Sequence, residues 1–385
     1  MTRGIRSAII GSGMIATVHA RAVRAAGGEV VGFLGSRPGR AAAIADAWDA
    51  VEFRDLDALL RADVDVVHVC TPNGTHVAYS EAVLRAGRHV ICEKPLATSV
   101  EGAVRLVDLA ASSGLVATVP FVYRYHPVVR ELRARRLSGS FGRWNALHGS
   151  YTQDWMLSPD AGNWRVDDTT GGVSRAFADI GSHWCDLVEF VSGERLASAS
   201  AVFSIAVPER PVASAASFSL ADAGARTARV TTEDVAIATF VTDAGVPANV
   251  VVSQVAAGRR NRLWFELDGA EGSAVFDQEQ PETAWLGAAD GARIIARGTA
   301  PMSPDQNRLA YLPAGHAQGY QDCFTAFVAD TFAAIRGDNP EGLPDFADGL
   351  RSARIVDAVA RSAASRSWID IADAEVRSIR EPLRL

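Results

Sequence analysis

The chain has 385 residues, 48% of them hydrophobic and 22% charged, and a formal net charge of −7. This composition is typical of a soluble globular protein with about two domains, and the charge gives no electrostatic reason to expect nucleic acid or an anionic membrane as a partner. No apolar run reaches the length that crosses a bilayer, and the N-terminal residues lack the apolar core of a signal peptide. We therefore expect a cytoplasmic protein whose four scattered cysteines are buried thiols, not disulfides or zinc ligands.

Short apolar runs alternate with Ala-rich helical segments over the first 120 residues. The predicted strands are 5–10, 30–34, 64–70, 89–92 and 116–120, and the predicted helices are 14–26, 40–48, 77–86 and 100–112. Unbroken apolar strands that alternate with helices indicate a parallel sheet buried on both faces. We assign this pattern to an N-terminal α/β domain over residues 1–125.

The pattern changes after Pro127. The predicted elements there are a helix over 128–137, strands over 144–151, 234–241, 249–254 and 263–268, and helices over 320–335 and 346–362. The alternation within these strands is typical of a sheet with one covered face. The Ala/Ser-rich segment 212–225 is expected to be a mobile loop or a weak edge of the sheet. The prediction is a second α/β domain over residues 126–385 with a large, open, mostly antiparallel sheet.

The turn after the first strand has the pattern G-x-G-x-x-A. Its residues are Gly11, Ser12, Gly13, Met14, Ile15 and Ala16. The first glycine permits a tight turn, the second lets the main chain approach a pyrophosphate, and the small last residue allows close packing of helix on strand. The N-terminus of the following helix supplies N–H donors to the phosphates. Between a strand and a helix, this pattern favours a dinucleotide site over a purely structural turn.

The end of the second strand bears on which dinucleotide binds. NAD sites carry an acid at this place that binds the ribose 2′-hydroxyl, whereas this strand ends in Gly35, Ser36 and Arg37. A hydroxyl beside a guanidinium suits a 2′-phosphate and favours NADP slightly over NAD. In the alternative interpretation Arg37 stacks on adenine or faces solvent.

An acid and an imidazole share one helical face in the stretch 178–186. Asp179 and His183 are four residues apart, and Asp186 follows three residues later. The stretch alone leaves three interpretations open. In the first, the three residues bind a metal together with His148. In the second, Asp179 and His183 are a catalytic pair. In the third, His183 is a hydrogen-bonded histidine of the core.

Further motifs complete a pattern that spans the chain. They are Cys70-Thr71-Pro72-Asn73-x-x-His76, Glu93-Lys94-Pro95, and Gly171-Gly172 followed by Asp179-Ile180-Gly181-Ser182-His183-x-x-Asp186. In this order, and with the glycine turn, they resemble the glucose–fructose oxidoreductase / inositol dehydrogenase / rhizopine-catabolism (Gfo/Idh/MocA) family. The resemblance implies a Rossmann domain, an α/β domain whose open sheet often forms the oligomer interface, and a homodimer or homotetramer. It also implies NAD(P)-dependent oxidation of a secondary alcohol of a sugar or cyclitol, or reduction of the corresponding ketone.

The resemblance also assigns roles to individual residues. Lys94 matches the family's catalytic lysine, Asp179 and His183 match its catalytic pair, and Glu93 matches the residue beside the nicotinamide ribose. A cis peptide bond before Pro95 is expected to turn Lys94 into the cleft. The residues that match the stretches near the cofactor are Thr71, Pro72, Asn73, His76, Trp164 and Arg165.

Two residues mark departures from the family pattern. Arg175 lies close before the aspartate, where the family often has glycines. It is expected either to bind a polar or anionic substrate group or to brace a loop through Asp167 or Asp168. Arg124 lies in a stretch without the asparagine that the family often has, and it is expected on the cofactor side.

Oxidation of a carbinol needs a base for the hydroxyl proton, and a neutral imidazole suits that role. We assign His183 as the base in oxidation and the acid in reduction, and Lys94 as the donor that polarises the reacting oxygen. Asp179 would fix the imidazole or bind the substrate. A lysine in the same cleft would repel a cation, so no metal is expected there.

Other polar residues are candidates for substrate contact. Gln153 and Asp154 lie beside aromatic Trp155, and planar hydrogen-bonding groups next to a ring are typical of sugar sites. His316 precedes the helix over 320–335, and it either reaches the cleft or packs on a neighbouring tyrosine.

Two other functions are compatible with the same residues. One is a glycoside-cleaving enzyme that transiently oxidises the sugar with a retained cofactor and eliminates the aglycone. The other is a non-catalytic Rossmann sensor, in which changing Lys94 or His183 would alter no reaction.

Overall fold

The computed structural model describes residues 3–166, 168–211, 226–299 and 301–371. The expected loop at 212–225 therefore lies outside the described residues. Within the described ranges, no helix combines the length and the apolar composition needed to cross a membrane. All four cysteines are buried and free, as expected.

A parallel sheet forms the N-terminal part of the protein. Its strands are β1 Arg6–Ile10, β2 Glu29–Leu34, β3 Val51–Phe53, β4 Val66–Val69, β5 His89–Cys92 and β6 Ala117–Thr118. They lie in the order β3-β2-β1-β4-β5-β6, and every neighbouring pair is parallel. The accompanying helices are α1 Met14–Ala25, α2 Ala42–Ala47, α3 Leu56–Arg61, α4 His76–Arg85 and α5 Val100–Ser113. Every residue of β4 is buried, which agrees with helices on both faces of this sheet.

The strand order places the candidate motifs at one edge of this sheet. β1 pairs with β2 on one side and β4 on the other, and β4 pairs with β5. Because the strands are parallel, the residues that follow β1, β4 and β5 emerge at the same edge, where doubly wound folds bind their ligands. Gly11, Thr71 and Lys94 are among these residues.

A larger sheet dominates the rest of the chain. Its strands are β7 Trp144–Thr152, β8 Leu196–Ser204, β11 Val235–Thr242, β12 Pro247–Ser253, β13 Arg262–Gly269, β14 Ser273–Asp277, β15 Thr283–Ala288, β16 Gly291–Ala296 and β17 Ile369–Asp370, and a separate pair is formed by β9 Glu209–Pro211 and β10 Thr227–Arg229. The order is β16-β15-β14-β13-β7-β12-β11-β8-β17. Only β7 and β12 pair in parallel; the other neighbours are antiparallel. Burial alternates along β11, so one face covers the core and the other is open.

The helices of this part are α6 Pro127–Leu137, α7 Asp168–Gly171, α8 Ser182–Ser192, α9 Pro304–Leu309, α10 Tyr320–Ile335 and α11 Phe346–Ser365. Of these, α10 packs on α1 and α11 packs on α5. Gln321 of α10 donates from Nε2 to the main-chain oxygen of Val18 at 3.2 Å, which ties the two parts together. The Rossmann sheet and the large, mostly antiparallel sheet confirm the predicted fold class. The predicted boundary after residue 125 stays a prediction, because α10 and α11 belong to the second part in sequence and cover helices of the first.

Candidate active site

The glycine turn between β1 and α1 leaves room for a phosphate group. Gly11 has a φ of +128°, and a Cβ there would lie 2.4 Å from the main-chain oxygen of Cys70. Gly13 is the N-cap of α1 and has no side chain to cap the helix. No atom lies within 4 Å of the position that a Cβ would take there. The first N–H groups of a helix need acceptors, and a phosphate supplies them. The residues present therefore fit a dinucleotide pyrophosphate.

Lys94 is held by the helix region that carries the predicted catalytic pair. The Lys94–Pro95 peptide bond is cis, as expected. Nζ of Lys94 donates to Oδ1 of Asp179 at 2.6 Å and to the main-chain oxygen of Asp179 at 2.7 Å. Of the 38 lysine and arginine residues, Lys94 is the only lysine.

Asp179 lies in a π-helical turn, Phe177–Gly181, which leads directly into α8. Such wide turns are frequent at functional sites. The Asp179 carboxylate also accepts a hydrogen bond from Nε2 of Gln254 at 2.8 Å, and Nε of Arg165 lies 3.6 Å from Oδ1. Burial alone would raise the pKa of this carboxyl, but Lys94 and Arg165 outweigh it and hold the pKa well below its ordinary value. Asp179 is therefore ionised at neutral pH.

His183, one helical turn after Asp179, lies in an aromatic pocket. Its ring centroid is 4.9 Å from that of Tyr123 and 5.7 Å from that of Phe121. Its Nδ1 is buried and has no hydrogen-bond partner among the described residues. Burial, together with the charge of Lys94, lowers the pKa of His183 well below its ordinary value. The imidazole is therefore neutral at pH 7, as a proton acceptor requires.

Glu93 is anchored from below by two buried histidines. Its Oε1 lies 2.9 Å from Nε2 of His19, and Nδ1 of His19 lies 2.9 Å from Nδ1 of His68. Burial and the neighbouring His19 lower the pKa of His68, so His68 is neutral. Hydrogen bonds thus join His68, His19 and Glu93 in a buried row. These hydrogen bonds hold the Glu93 side chain in place beside Lys94.

Comparison with known proteins places this site in a family. The model of an oxidoreductase family with an NAD-binding Rossmann fold matches residues 5–121, and the model of a GFO/IDH/MocA C-terminal domain matches residues 129–275. The levoglucosan dehydrogenase of Pseudarthrobacter phenanthrenivorans is 33% identical over 319 residues, which cover 80% of each chain. The chain belongs to the Gfo/Idh/MocA oxidoreductase family.

Two further relatives agree with this assignment. The inositol 2-dehydrogenase of Rhizobium meliloti is 26% identical and matches 96% of this chain and 99% of its own. A solved structure of levoglucosan dehydrogenase in complex with NADH and levoglucosan has a TM-score of 0.87 at 28% identity, covering 96% of this chain and all of that one. The expected class of enzyme, an NAD(P)-dependent sugar or cyclitol dehydrogenase, is confirmed.

Within this family site, Arg124 is paired with carboxylates of the protein. Its guanidinium forms ion pairs with Asp186, through Nε at 2.9 Å, and with Asp348 of α11, through Nη2 at 2.9 Å. All of its nitrogens donate within this buried network. Two carboxylates that are distant in sequence thus occupy the guanidinium, and its place on the cofactor side stays a prediction. Asp186 is its helix-face partner.

Arg175 also has a structural place. Its side chain is fully buried, donates from Nε to the main-chain oxygen of Glu233 at 3.2 Å, and pairs with Asp234. The expected contact with substrate stays a prediction, and the partners found here are Glu233 and Asp234, not Asp168. Asp167 lies outside the described residues.

The two predicted substrate residues Gln153 and Asp154 make hydrogen bonds within the protein. Gln153 donates from Nε2 to Asn261 at 2.7 Å and accepts from Nε1 of Trp155 at 2.9 Å. Asp154 accepts from the main chain of Gly258 and from Arg260. These two predictions stay open, since a bound sugar can share such groups.

The remaining predicted residues divide between the cofactor edge and the surface. The imidazole of His76 lies between the main-chain oxygens of Pro95 and Thr71, at 2.7 and 2.8 Å, so it joins the two cofactor-edge loops. Asn73 donates to the main-chain oxygen of Gly171 at 3.2 Å. Ser36, Arg37 and His316 are exposed. Arg165 stacks on Trp164 at 4.4 Å, and Pro72 precedes the 3₁₀ turn that begins at Asn73.

Gln254 is the site residue that the sequence does not reveal. Gln254 is completely buried. Its Nε2 donates a hydrogen bond to Asp179, and its Oε1 has no hydrogen-bond partner among the described residues. In sequence it is one polar residue after an apolar strand. The pairing of β12 with β7 and β11, and the main-chain bond from Gln254 to Asp234, place it beside Asp179.

Proposed function

We propose that the protein transfers a hydride between a nicotinamide cofactor and a secondary alcohol of a neutral sugar, glycoside or cyclitol. One observation carries the proposal: Lys94 is bonded to both oxygen types of Asp179 beside a neutral His183, next to a turn that fits a dinucleotide. The substrate class is supported by the levoglucosan and inositol dehydrogenases among the relatives.

His183 and Lys94 share the proton chemistry in this proposal. When bound, the nicotinamide accepts the hydride in oxidation and returns it in reduction. Neutral His183 takes the proton of the reacting hydroxyl in oxidation, and its lowered pKa makes the protonated ring a ready acid in reduction. Lys94 donates a hydrogen bond to the reacting oxygen and stabilises the negative charge that develops there. Asp179 orients the Lys94 ammonium through its carboxylate and its main-chain oxygen.

The cofactor would be held along the edge of the parallel sheet. Gly11, Ser12, Gly13, Met14 and Ile15 form the turn for the pyrophosphate. Glu93 would accept a hydrogen bond from a hydroxyl of the nicotinamide ribose, and the two loops joined by His76 would flank it. Ser36 and Arg37, exposed at the end of β2, favour NADP over NAD in this proposal because they can bind a 2′-phosphate.

The test is NAD(P)H absorbance with levoglucosan, inositols, aldoses and glycosides, each supplied with NAD and with NADP. We expect reduced cofactor to accumulate with at least one neutral polyol. Release of an aglycone from a glycoside with no net change in absorbance would favour the glycoside-cleaving alternative instead. If no compound of these classes reacts with either cofactor, the proposed substrate class is wrong.

We also propose a homodimer or homotetramer in the cytoplasm. The open face of the large sheet carries exposed Val202 and Ile237, which supports burial against another copy. The four free, buried cysteines suit a reducing compartment. Light scattering of the purified protein tests the assembly.

A further inference from the structure

Three metal-ligating side chains meet on the open face of the large sheet, away from the catalytic cluster. His148 lies on β7, and Glu266 and Asp268 lie on the neighbouring strand β13. His148 is directly opposite Glu266 in the antiparallel register. Asp268 is two residues beyond Glu266 and therefore projects from the same face. The register of two adjacent strands thus fixes all three positions.

The distances suit a small cation. Nε2 of His148 lies 3.6 Å from Oδ2 of Asp268 and 3.9 Å from Oε2 of Glu266, and one ligand atom from each residue lies within 4.8 Å of the others. Ligand atoms around a tetrahedral zinc ion are about 3.4 Å apart. In the single chain these side chains are 29 to 41% exposed, so they can move enough to close this small difference.

The surrounding contacts leave the cluster short of positive charge. Among the described residues, both carboxylates have His148 as their ion-pair partner. Arg262, on the same strand, is directed to Asp277 at 2.8 Å and stacks over Trp264. Ser273 donates to Oδ1 of Asp268 at 2.9 Å, which leaves Oδ2 facing the imidazole. Hydrogen bonds of this kind orient metal ligands in known sites.

We propose that His148, Glu266 and Asp268 form a binding site for a divalent transition-metal ion of the Zn²⁺ class. One imidazole nitrogen and two carboxylates suit Zn²⁺, whereas Mg²⁺ and Ca²⁺ favour sites built from oxygen alone. The bound ion joins β7 to β13 and balances the two carboxylate charges. Three protein ligands leave one position open to water or to a group from another molecule. The proposal is independent of the hydride-transfer chemistry.

Thermal unfolding and calorimetric titration of the chelator-treated full-length protein with ZnCl₂ test this site. We expect Zn²⁺ to raise the unfolding temperature by mass action, and MgCl₂ to leave it unchanged. His148→Gln and Glu266→Gln should each weaken Zn²⁺ binding by about tenfold or more and abolish the rise. His316→Gln, which changes an exposed histidine outside the cluster, should keep both.

Two results would overturn the proposal. One is the absence of any Zn²⁺-dependent rise in the wild type. The other is an equal rise in the wild type and in the two cluster variants, which would place the ion elsewhere. The unfolding temperatures of the metal-free proteins show whether each variant folds, and two variants at different ligands keep the comparison valid if one of them does not.

Discussion

Nε2 of Gln254 donates a 2.8 Å hydrogen bond to Oδ2 of Asp179, while Lys94 holds Oδ1 and the main-chain oxygen of the same residue. The carboxylate is thus oriented from two sides by residues 75 and 85 positions away in sequence. A charged group that is largely buried needs such partners, because each unmet hydrogen bond costs about 1–3 kcal/mol.

Replacing Gln254 should impair catalysis without impairing cofactor binding. In Gln254→Met the apolar side chain fills a similar volume, and Asp179 loses one of its donors. We expect kcat to fall by about tenfold to a hundredfold, with the Kd of the dinucleotide unchanged. Steady-state kinetics and dinucleotide titration measure the two quantities. The control is Asn249→Leu, an amide of β12 that bonds to β11 instead; equal losses in both variants would contradict the assignment.

The proposed roles of Lys94 and His183 are tested by truncation. Lys94→Ala and His183→Ala should each lower kcat by about 10²–10⁴-fold, the usual range for acid–base and charge-stabilising groups. Both variants should still bind the dinucleotide in a fluorescence titration, because the glycine turn is untouched. Turnover near that of the wild type in either variant would refute its role.

Arg37 should decide between the two dinucleotides. It is exposed at the end of β2, so its replacement has little structural cost. In Arg37→Asp the new carboxylate repels a 2′-phosphate and accepts from a 2′-hydroxyl, so the ratio of kcat/KM for NADP to that for NAD should fall at least about tenfold. The same ratio in Arg40→Asp, an exposed arginine three residues on, serves as the control. An unchanged ratio in Arg37→Asp would leave the NADP preference without support.

Stability should decrease as the pH falls through the range in which unfolded histidines become protonated. Burial lowers the pKa of His126 from 6.5 to about 4, so the unfolded chain binds a proton that the folded protein excludes. The free energy of unfolding therefore decreases below about pH 6.5 and stops responding to this group below about pH 4, a loss of about 3 kcal/mol.

Urea unfolding between pH 7.5 and pH 4.5 measures this dependence. In His126→Phe, which keeps a ring against Tyr123, the slope of the unfolding free energy against pH should be shallower by about one proton. His68, His76 and His183 have lowered pKa values too, so the variant should retain part of the slope. Identical slopes in the two proteins would show that folding does not lower the pKa of His126.

The sequence predicts the parallel sheet because local pattern and tertiary environment agree there. The unbroken apolar run of β4 is buried on both faces, and strand 89–92 is found at the predicted bounds. The elements β3 and α3 are not predicted, since three and six residues are too few for a clear period. The packing of α10 on α1 joins segments about 300 residues apart, and no local pattern encodes it.

The site is predictable where a motif carries it and not where pairing across the fold decides. Lys94, Asp179 and His183 belong to motifs of the family, and the structure brings them together. Arg175 pairs with Asp234, the residue just before β11. Arg124 pairs with Asp348, which lies in α11. Their partners lie 59 and 224 positions away, so the sequence does not reveal these ion pairs.

The single lysine makes this protein selectively addressable by amine chemistry. Reductive methylation with ¹³C-formaldehyde modifies lysine and the terminal amine and leaves arginine untouched, so one labelled side chain results, and it is the one bonded to Asp179. Its nuclear magnetic resonance signal would report the ionisation of that amine and the arrival of each ligand directly, in a background without competing side-chain amines. A reagent that does not distinguish one lysine from another therefore labels a single side chain in the active site.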